Sequence, residues 1–170
     1  MSIKQLDIKE IELVDKVVKL GTKNSKTLGH FPEGAFKEHI KKGFLFVKLN
    51  DEKELLGYVL FSITQRKRLI RIIHLCINKN YRGEGVAAGL LDTLKNKYDK
   101  QLRGISLSCR EDYEVATKFW QKYGFKAIKR ARSRSKKERY LIRWWYDFGI
   151  EDLFSSLLKD SNSLKAVLDA

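Results

Sequence analysis

Residues 72–91 read IIHLCINKNYRGEGVAAGLL, and this stretch decides how the rest of the chain is interpreted. An apolar run of strand length, residues 72–77, is followed by a short polar loop and then by Gly83 and Gly85. Apolar side chains after Gly85 recur with helical spacing, so we predict a strand, a glycine-rich turn and a helix. Glycines let a backbone approach a phosphate closely, and the free N–H groups of a first helical turn point at it. The stretch therefore predicts an anion-binding site.

The composition bounds the class of protein. The chain has 170 residues, enough for one domain with an appendage, and 43% are hydrophobic, which excludes a disordered chain. No apolar run reaches the roughly 20 residues of a membrane helix, and no signal peptide is evident, so we expect a cytoplasmic protein without a membrane partner. Cys76 and Cys109 are expected to be buried free thiols. The net charge of +14 predicts attraction to nucleic acid, an acidic partner or a phosphorylated cofactor.

Apolar alternation and helical spacing predict an α/β chain with a mostly antiparallel first half. The predicted strands cover residues 2–6, 44–49, 55–63, 69–77, 104–109, 125–131 and 140–145. The predicted helices cover residues 8–20 and 32–43, a segment after Ala87 that runs to about Tyr98, a segment between Asp112 and Gly124, and, near the C-terminus, residues 151–158. Gly21 is expected to end the first helix, and residues 21–32 to form a long loop. We expect a mixed, mostly antiparallel sheet of six to seven strands with about four flanking helices and an extra C-terminal helix.

Two common glycine-rich motifs are absent. A dinucleotide fold places G-x-G-x-x-G in its first strand–helix unit, and a nucleoside triphosphate loop reads G-x-x-x-x-G-K-[ST]. Here Gly83-x-Gly85 follows several predicted strands, and no third glycine comes at the required spacing. Arg82-x-x-Gly85-x-Ala87 instead resembles the [QR]-x-x-G-x-[GA] signature of the GNAT acyltransferase family.

A second segment supports the same resemblance. Residues 116–125, ATKFWQKYGF, are similar to the family pattern A-x-x-[LF]-[YW]-x-x-x-G-F. The two motifs lie about 30 residues apart in the family's element order, and the resemblance covers about Ile3 to Trp145. It implies the GNAT fold, with acetyl-CoA as donor of an acetyl group to a primary amine, small or macromolecular. No metal is expected.

The resemblance also implies which residues bind coenzyme A. In the family, N–H groups of the loop after the central strand hold the pyrophosphate, and that strand's backbone binds the pantetheine arm. The strand of Leu75 should separate from that of Ser106 to admit the arm, and an N–H near Leu75 and Cys76 should polarise the thioester carbonyl. The implied binding residues are Leu75, Cys76, Ile77, Arg82, Gly83, Glu84, Gly85, Val86, Ala87 and Trp120.

The catalytic acid and base are not assigned by the motifs. Much of the family has a tyrosine in the second motif that protonates the leaving thiolate, but this chain has Trp120 there. An indole N–H is a hydrogen-bond donor and not a useful acid. Tyr123 is a nearby candidate, but it lies three residues on and therefore about 300° round the helix.

Three further side chains are candidates, and each also has a structural interpretation. His30 and Glu33 border the expected acceptor site, and they also fit as ordinary loop and helix-cap residues. His74 lies on the central strand, where alternation puts it on the face opposite Ile73 and Leu75. It is therefore also interpreted as a partly buried structural histidine.

Two C-terminal features extend the hypotheses. The segment from Lys126 to Arg143 is strongly basic, with eight Lys or Arg residues in the 14 positions from 126 to 139. This fits either a surface for nucleic acid or an acidic partner, or a solvated hairpin. We predict a GNAT acyl-CoA-binding domain over residues 1–149 and a helix and linker over residues 150–170. Residues 164–170 resemble the first strand of a PIN-like domain, which follows a GNAT domain in some bacterial proteins. A natural C-terminus is the alternative.

Two functional hypotheses follow. The first is an N-acetyltransferase that moves an acetyl group from acetyl-CoA to a primary amine. The second is a non-catalytic module that binds acyl-CoA or nucleic acid and regulates an attached PIN-like nuclease domain. The loop from Arg82 to Ala87 favours the first, whereas Trp120 and the lack of an evident base favour the second.

Overall fold

The computed structural model describes residues 1–133 and 139–149. Its strands are β1 (Ser2–Gln5), β2 (Leu45–Leu49), β3 (Leu55–Thr64), β4 (Leu69–Ile77), β5 (Gly104–Arg110), β6 (Lys126–Arg132) and β7 (Tyr140–Asp147). Its helices are α1 (Ile11–Lys23), α2 (Ser25–Leu28), α3 (Glu33–Lys41), α4 (Val86–Tyr98) and α5 (Glu114–Tyr123). The predicted C-terminal helix and the PIN-like strand lie outside the described residues.

All seven strands form one sheet in the order β1-β2-β3-β4-β5-β7-β6. The first four strands pair antiparallel, β4 pairs parallel with β5, and β7 pairs antiparallel with both β5 and β6. The predicted mixed, mostly antiparallel α/β sheet is confirmed, with seven strands. The described ranges contain five helices instead of about four, because the short α2 lies within the predicted loop.

The prediction that Gly21 ends the first helix is wrong, and so is the prediction of a long loop from residue 21. Helix α1 continues to Lys23, with Gly21 buried inside it. A Cβ on Gly21 would stand 2.5 Å from the Tyr58 hydroxyl oxygen and 2.8 Å from Cζ of Phe36. The glycine is there because the sheet and α3 approach the helix closely, and not because the backbone must turn.

Two hydrophobic cores lie on opposite faces of the sheet, as the alternation of side chains along β3 requires. The α4/α5 core packs beneath α4 and α5, and its larger members include Phe61, Leu90, Leu91, Trp120 and Trp144. The α1/α3 core packs beneath α1 and α3, and its larger members include Leu6, Val17, Phe36, Ile40 and Tyr58.

Strand β4 changes face at a bulge. The β3–β4 register passes from Leu60–His74 to Phe61–Ile72, so Ile73 has no partner of its own on β3. As a result Ile73 packs against the α1/α3 core, on the same side as His74. The prediction that His74 lies opposite Ile73 is therefore wrong, whereas its placement opposite Leu75 is right, since Leu75 packs against the α4/α5 core.

The far edge of the sheet is strongly exposed. All seven residues of β6 are exposed, and β6 pairs only with β7 in the described part of the sheet. A second register shift, between Ala127 and Lys129, leaves Ile128 without a partner and 56% exposed. None of the helices in the described ranges is long and apolar enough to cross a membrane.

Candidate functional site

The central feature of the site is a gap between β4 and β5. These strands pair only at Leu69–Gly104, Ile70–Ile105 and Arg71–Ser106, although β4 continues to Ile77 and β5 to Arg110. Beyond Arg71 the strands separate, as the sequence predicted. The backbone N–H and C=O groups on this edge of residues 72–76 therefore have no strand partner and are available to an extended ligand.

A cleft of about 1380 Å³ opens at this gap. Its walls come from β4, β5, the first turn of α4, helix α5 and the segment around α2. Nine of the predicted coenzyme-binding residues line it: Leu75, Cys76, Ile77, Arg82, Gly83, Gly85, Val86, Ala87 and Trp120. The tenth, Glu84, is exposed and does not line it.

The start of α4 has the form of an anion site. Gly83 and Gly85 have φ of 86° and 71°, left-handed values that favour glycine, and a Cβ on either would meet no atom within 4 Å. No side chain caps the helix, and its first turn has no acidic residue, so its N–H groups face the cleft without a competing acceptor. Arg82 Nε donates to the Ile77 carbonyl at 3.4 Å, which holds the loop against the end of β4.

The comparisons agree with this geometry. Residues 17–137, more than half of the chain, match the family model of the acetyltransferase (GNAT) domain.

The chain belongs to the GNAT family.

Solved structures share the fold at low sequence identity. Ard1 from Thermoplasma volcanium has a TM-score of 0.74 at 17% identity, over 86% of this chain and 96% of that one. The ribosomal-protein-S18-alanine N-acetyltransferase from Escherichia coli has a TM-score of 0.71 at 12% identity, over 89% and 96%. The NatC complex bound to Gag peptide and CoA has a TM-score of 0.74 at 16% identity, over 86% and 97%. No curated protein sequence matches the chain.

Helix α5 brings Trp120, which stands where much of the GNAT family has tyrosine, to the wall of the cleft. The side chain is 6% exposed, and its buried indole nitrogen makes no hydrogen bond of good geometry, having only a weak interaction with the Cys109 thiol. The same is true of the buried hydroxyl of Thr117, one turn earlier. By contrast, the Trp144 indole donates to Cys109 Sγ at 3.2 Å. Buried unpaired donors are rare in folded proteins, so a ligand in the cleft is a plausible acceptor for Trp120.

Tyr123 also lines the cleft, but its hydroxyl points elsewhere. It donates to the Asp92 carboxylate at 2.6 Å, and Asp92 is not among the residues that line the cleft. Burial, together with this hydrogen bond, raises the pKa of Tyr123 well above its usual range. The phenol hydroxyl is therefore engaged by Asp92 and does not face the cleft.

The candidates His30 and Glu33 do not line the cleft. His30 is exposed. Glu33 is also exposed and pairs with Lys37 at 2.6 Å, a contact that lowers the pKa of its carboxyl. The structure therefore does not bring these two side chains together with the gap between β4 and β5.

His74 lies in the α1/α3 core and not in the cleft. It is 3% exposed, its Nδ1 lies 3.1 Å from the Tyr58 hydroxyl, and the rings of Phe31 and Phe36 pack edge-on against it. Burial lowers the pKa of His74 to about 4, so the imidazole is neutral near pH 7. Its surroundings are those of a structural histidine, more deeply buried than the sequence suggested.

The two cysteines are both free and both line the cleft. Cys76 is buried, as predicted, and burial raises the pKa of its thiol to about 11. Cys109 is only half-buried, and burial raises its pKa as well. Within the described ranges, no group of three or more His, Cys, Asp or Glu side chains is placed to hold a metal ion.

Sequence reasoning missed two parts of the site. A tyrosine at the start of α5, Tyr113, accepts from Arg110 at 2.8 Å and donates to the Lys26 carbonyl at 3.1 Å, which ties the α2 segment to β5 across the cleft.

A second cavity of about 330 Å³ is lined by Phe31, Ser62, Arg71, Ile72, Ile73 and Ser108. A signal for it was present, because Arg71 is the only charged residue within the apolar strand β4.

Proposed function

We propose that this chain is an N-acetyltransferase that transfers an acetyl group from acetyl-CoA to an amine. One observation supports this most strongly: the unpaired edge of β4 and the uncapped N-terminus of α4 open into the same cleft. An extended pantetheine arm needs backbone partners, and a pyrophosphate needs N–H donors with a favourable helix dipole. The two features supply both, in the order in which coenzyme A presents its groups.

The residues at the gap have distinct proposed roles. Backbone N–H groups of Leu75 or Cys76, on the unpaired edge of β4, would polarise the thioester carbonyl. The amine nitrogen forms the new bond to the carbonyl carbon, the carbon–sulfur bond breaks, and the surplus amine proton leaves to water. Trp120 donates a hydrogen bond to the departing thiolate without transferring a proton, which fits its unpartnered indole N–H.

The known activities of similar structures are consistent with this proposal. The NatC complex is a structure bound to a peptide and CoA, and the Escherichia coli structure is an alanine N-acetyltransferase. Both share only the fold with this chain at 16% and 12% identity, so the acceptor has to be found by experiment.

The test combines coenzyme A binding with thiol release from acetyl-CoA over a panel of amines. Gly85→Glu adds a negative charge and a strained side chain at the N-terminus of α4, so it should weaken coenzyme A binding by about 100-fold or more and abolish turnover. Gly149→Glu is the matched control, because Gly149 has φ of 75°, open space around it and no place in the cleft. Equal losses in both variants would contradict the proposal.

A second candidate is the non-catalytic module, and Trp120 is the observation that favours it. Among the described residues that line the cleft, none is a histidine, and Tyr123 is bonded to Asp92. Coenzyme A binding without turnover on any amine would support this candidate. Its nucleic-acid version further requires that Lys126→Glu with Lys129→Glu, on the exposed strand β6, weaken binding of a labelled RNA or DNA.

A further inference from the structure

The second cavity and the coenzyme cleft meet at the gap between β4 and β5. Ile72, Ile73 and Ser108 line both of them. A molecule in the second cavity would therefore lie against the same strand segment as a thioester in the cleft, on the opposite side of the gap. This is the position that an acceptor amine needs, because the attacking nitrogen must come within about 3–3.5 Å of the carbonyl carbon.

The cavity wall has a clear chemical character. Ser62, Arg71 and Ser106 are directly opposite one another on β3, β4 and β5, so their side chains share one face of the sheet. Ser62 and Arg71 line the cavity together with Ser108, and none of its six lining residues is acidic. The wall therefore offers one permanent positive charge and two hydroxyl groups to its occupant.

The positive charge of Arg71 is unpaired among the described residues. Its side chain is exposed, and none of the ion pairs between described residues includes its guanidinium. The row of paired residues that crosses the sheet from Arg71 runs through Ser106 and Trp145 to Lys126, so the other charged residue on that side is also positive. A guanidinium presents paired donors that match a carboxylate or phosphate.

We propose that the acceptor is an amine that also bears an anionic group, a carboxylate or a phosphate, and that Arg71 binds this group while the amine reaches the gap. The inference rests on the proposed function, since it assigns the acceptor side of the same site. Arg71 is a specificity-determining residue in this scheme, with Ser62 and Ser108 as hydroxyl donors to the same anion.

The first test uses matched pairs of amines. β-Alanine is compared with β-alaninamide, and phosphoethanolamine with ethanolamine, so that each pair differs in the anion and the two pairs distinguish carboxylate from phosphate. The anionic member of at least one pair should have a kcat/KM about 10- to 100-fold higher, the range of one charge-assisted hydrogen-bonded pair. Arg71→Gln should remove that preference, by lowering kcat/KM for the anionic member of the pair to about the value of its neutral partner. Arg66→Gln, in the exposed turn before β4, is the control and should keep the preference.

A binding measurement separates failure of this inference from failure of the proposed function. Calorimetric titration of coenzyme A-loaded protein with β-alanine or phosphoethanolamine should give saturable binding that Arg71→Gln weakens by 10-fold or more. That result would sustain the anion site even if no amine is acetylated. Equal rates for charged and neutral amines together with binding that Arg71→Gln does not change would overturn it, even if the protein is an active acetyltransferase.

Discussion

The two cores on either face of the sheet treat their polar groups differently. In the α1/α3 core, the Tyr58 hydroxyl and His74 Nδ1 lie 3.1 Å apart and satisfy each other. In the α4/α5 core, the indole N–H of Trp120 is buried without a well-formed hydrogen bond, and so is the hydroxyl of Thr117 on the same helix. Both residues lie on α5, whose Trp120 lines the cleft. The polar pair of the α1/α3 core is therefore satisfied within the protein, whereas the Trp120 indole of the α4/α5 core remains available to a ligand in the cleft.

Phe36→Ala should separate stability from binding most clearly. Phe36 is fully buried in the α1/α3 core, so its truncation should lower the free energy of unfolding by about 3–5 kcal/mol. Coenzyme A affinity, measured where the variant is still folded, should change less than about twofold. Phe119→Ala, at the cleft wall, is the converse test, with a smaller loss of stability and about 10-fold weaker binding. If Phe36→Ala weakened coenzyme A binding more than Phe119→Ala, the α1/α3 core would not be separate from coenzyme binding.

The buried His74 should make stability depend on pH. The pKa of His74 in the folded state is lowered to about 4, whereas an unfolded histidine titrates near 6.5. Between about pH 6.5 and 4, only the unfolded state binds this proton. His74 alone should therefore lower the free energy of unfolding by about 3 kcal/mol as the pH decreases from about 6.5 to 4. Burial raises the pKa values of Tyr58 and Cys76, so neither titrates in this range.

The measurement is urea unfolding between pH 4 and 7 for the wild type and for His74→Gln. The difference in slope between the two proteins isolates His74, since the carboxylates contribute equally to both. Parallel curves would mean that His74 is protonated in the folded protein at low pH, and its pairing with Tyr58 would then not exclude a charged imidazole.

Two tryptophans in one core provide a matched pair. Trp144→Phe removes a bonded indole and fully buried volume, and should cost about 2 kcal/mol. Trp120→Phe loses similar volume, but it also removes a buried donor that has no partner, so the net cost should stay below about 1 kcal/mol. Urea unfolding of both variants without ligand measures the difference. Saturating coenzyme A should then stabilise the Trp120→Phe variant less than the wild type, if the indole bonds the ligand.

Two helical glycines give the smallest expected effects. Gly21→Ala would place a methyl group 2.5 Å from the Tyr58 hydroxyl oxygen in the α1/α3 core, and should destabilise by about 1–2 kcal/mol. Gly89→Ala, on α4, would meet the mobile ends of Lys48 and Ile3 at 3.1 and 3.3 Å. Because alanine favours a helix over glycine, this variant should be neutral or more stable by about 0.5 kcal/mol. Thermal unfolding measures the stability of both variants. Equal losses of stability in the two would show that α4 packs against its neighbours as tightly as α1 does.

Much of the fold could be predicted from the sequence because its strands alternate cleanly and end at turn residues. The bulge at Ile73 could not, since residues 72–77 are mostly apolar on both faces and the register depends on β3. Gly21 was misassigned because a glycine that permits close packing has the same sequence signal as one that ends a helix.

The coenzyme side of the site followed from a local motif, because Gly83 and Gly85 act through their own backbone. The second cavity did not, because Ser62, Arg71 and Ser108 come from three strands and meet only through the pairing register. The candidate acids and bases His30, Glu33, His74 and Tyr123 do not lie together in the structure for the same reason, because their positions depend on contacts between residues far apart in the sequence.

The exposed strand β6 has a consequence for the behaviour of the protein at high concentration. An unpaired strand is a template on which a second copy can add, and such pairing begins many aggregates. Four of the seven residues of β6 are Lys or Arg, at positions 126, 129, 130 and 132, so two such edges would repel each other. Salt screens this repulsion over about 10 Å at 0.1 M. The chain should therefore stay monomeric in dilute buffer and self-associate as the ionic strength rises. A protein whose copies attract each other through opposite charges should show the opposite dependence on salt.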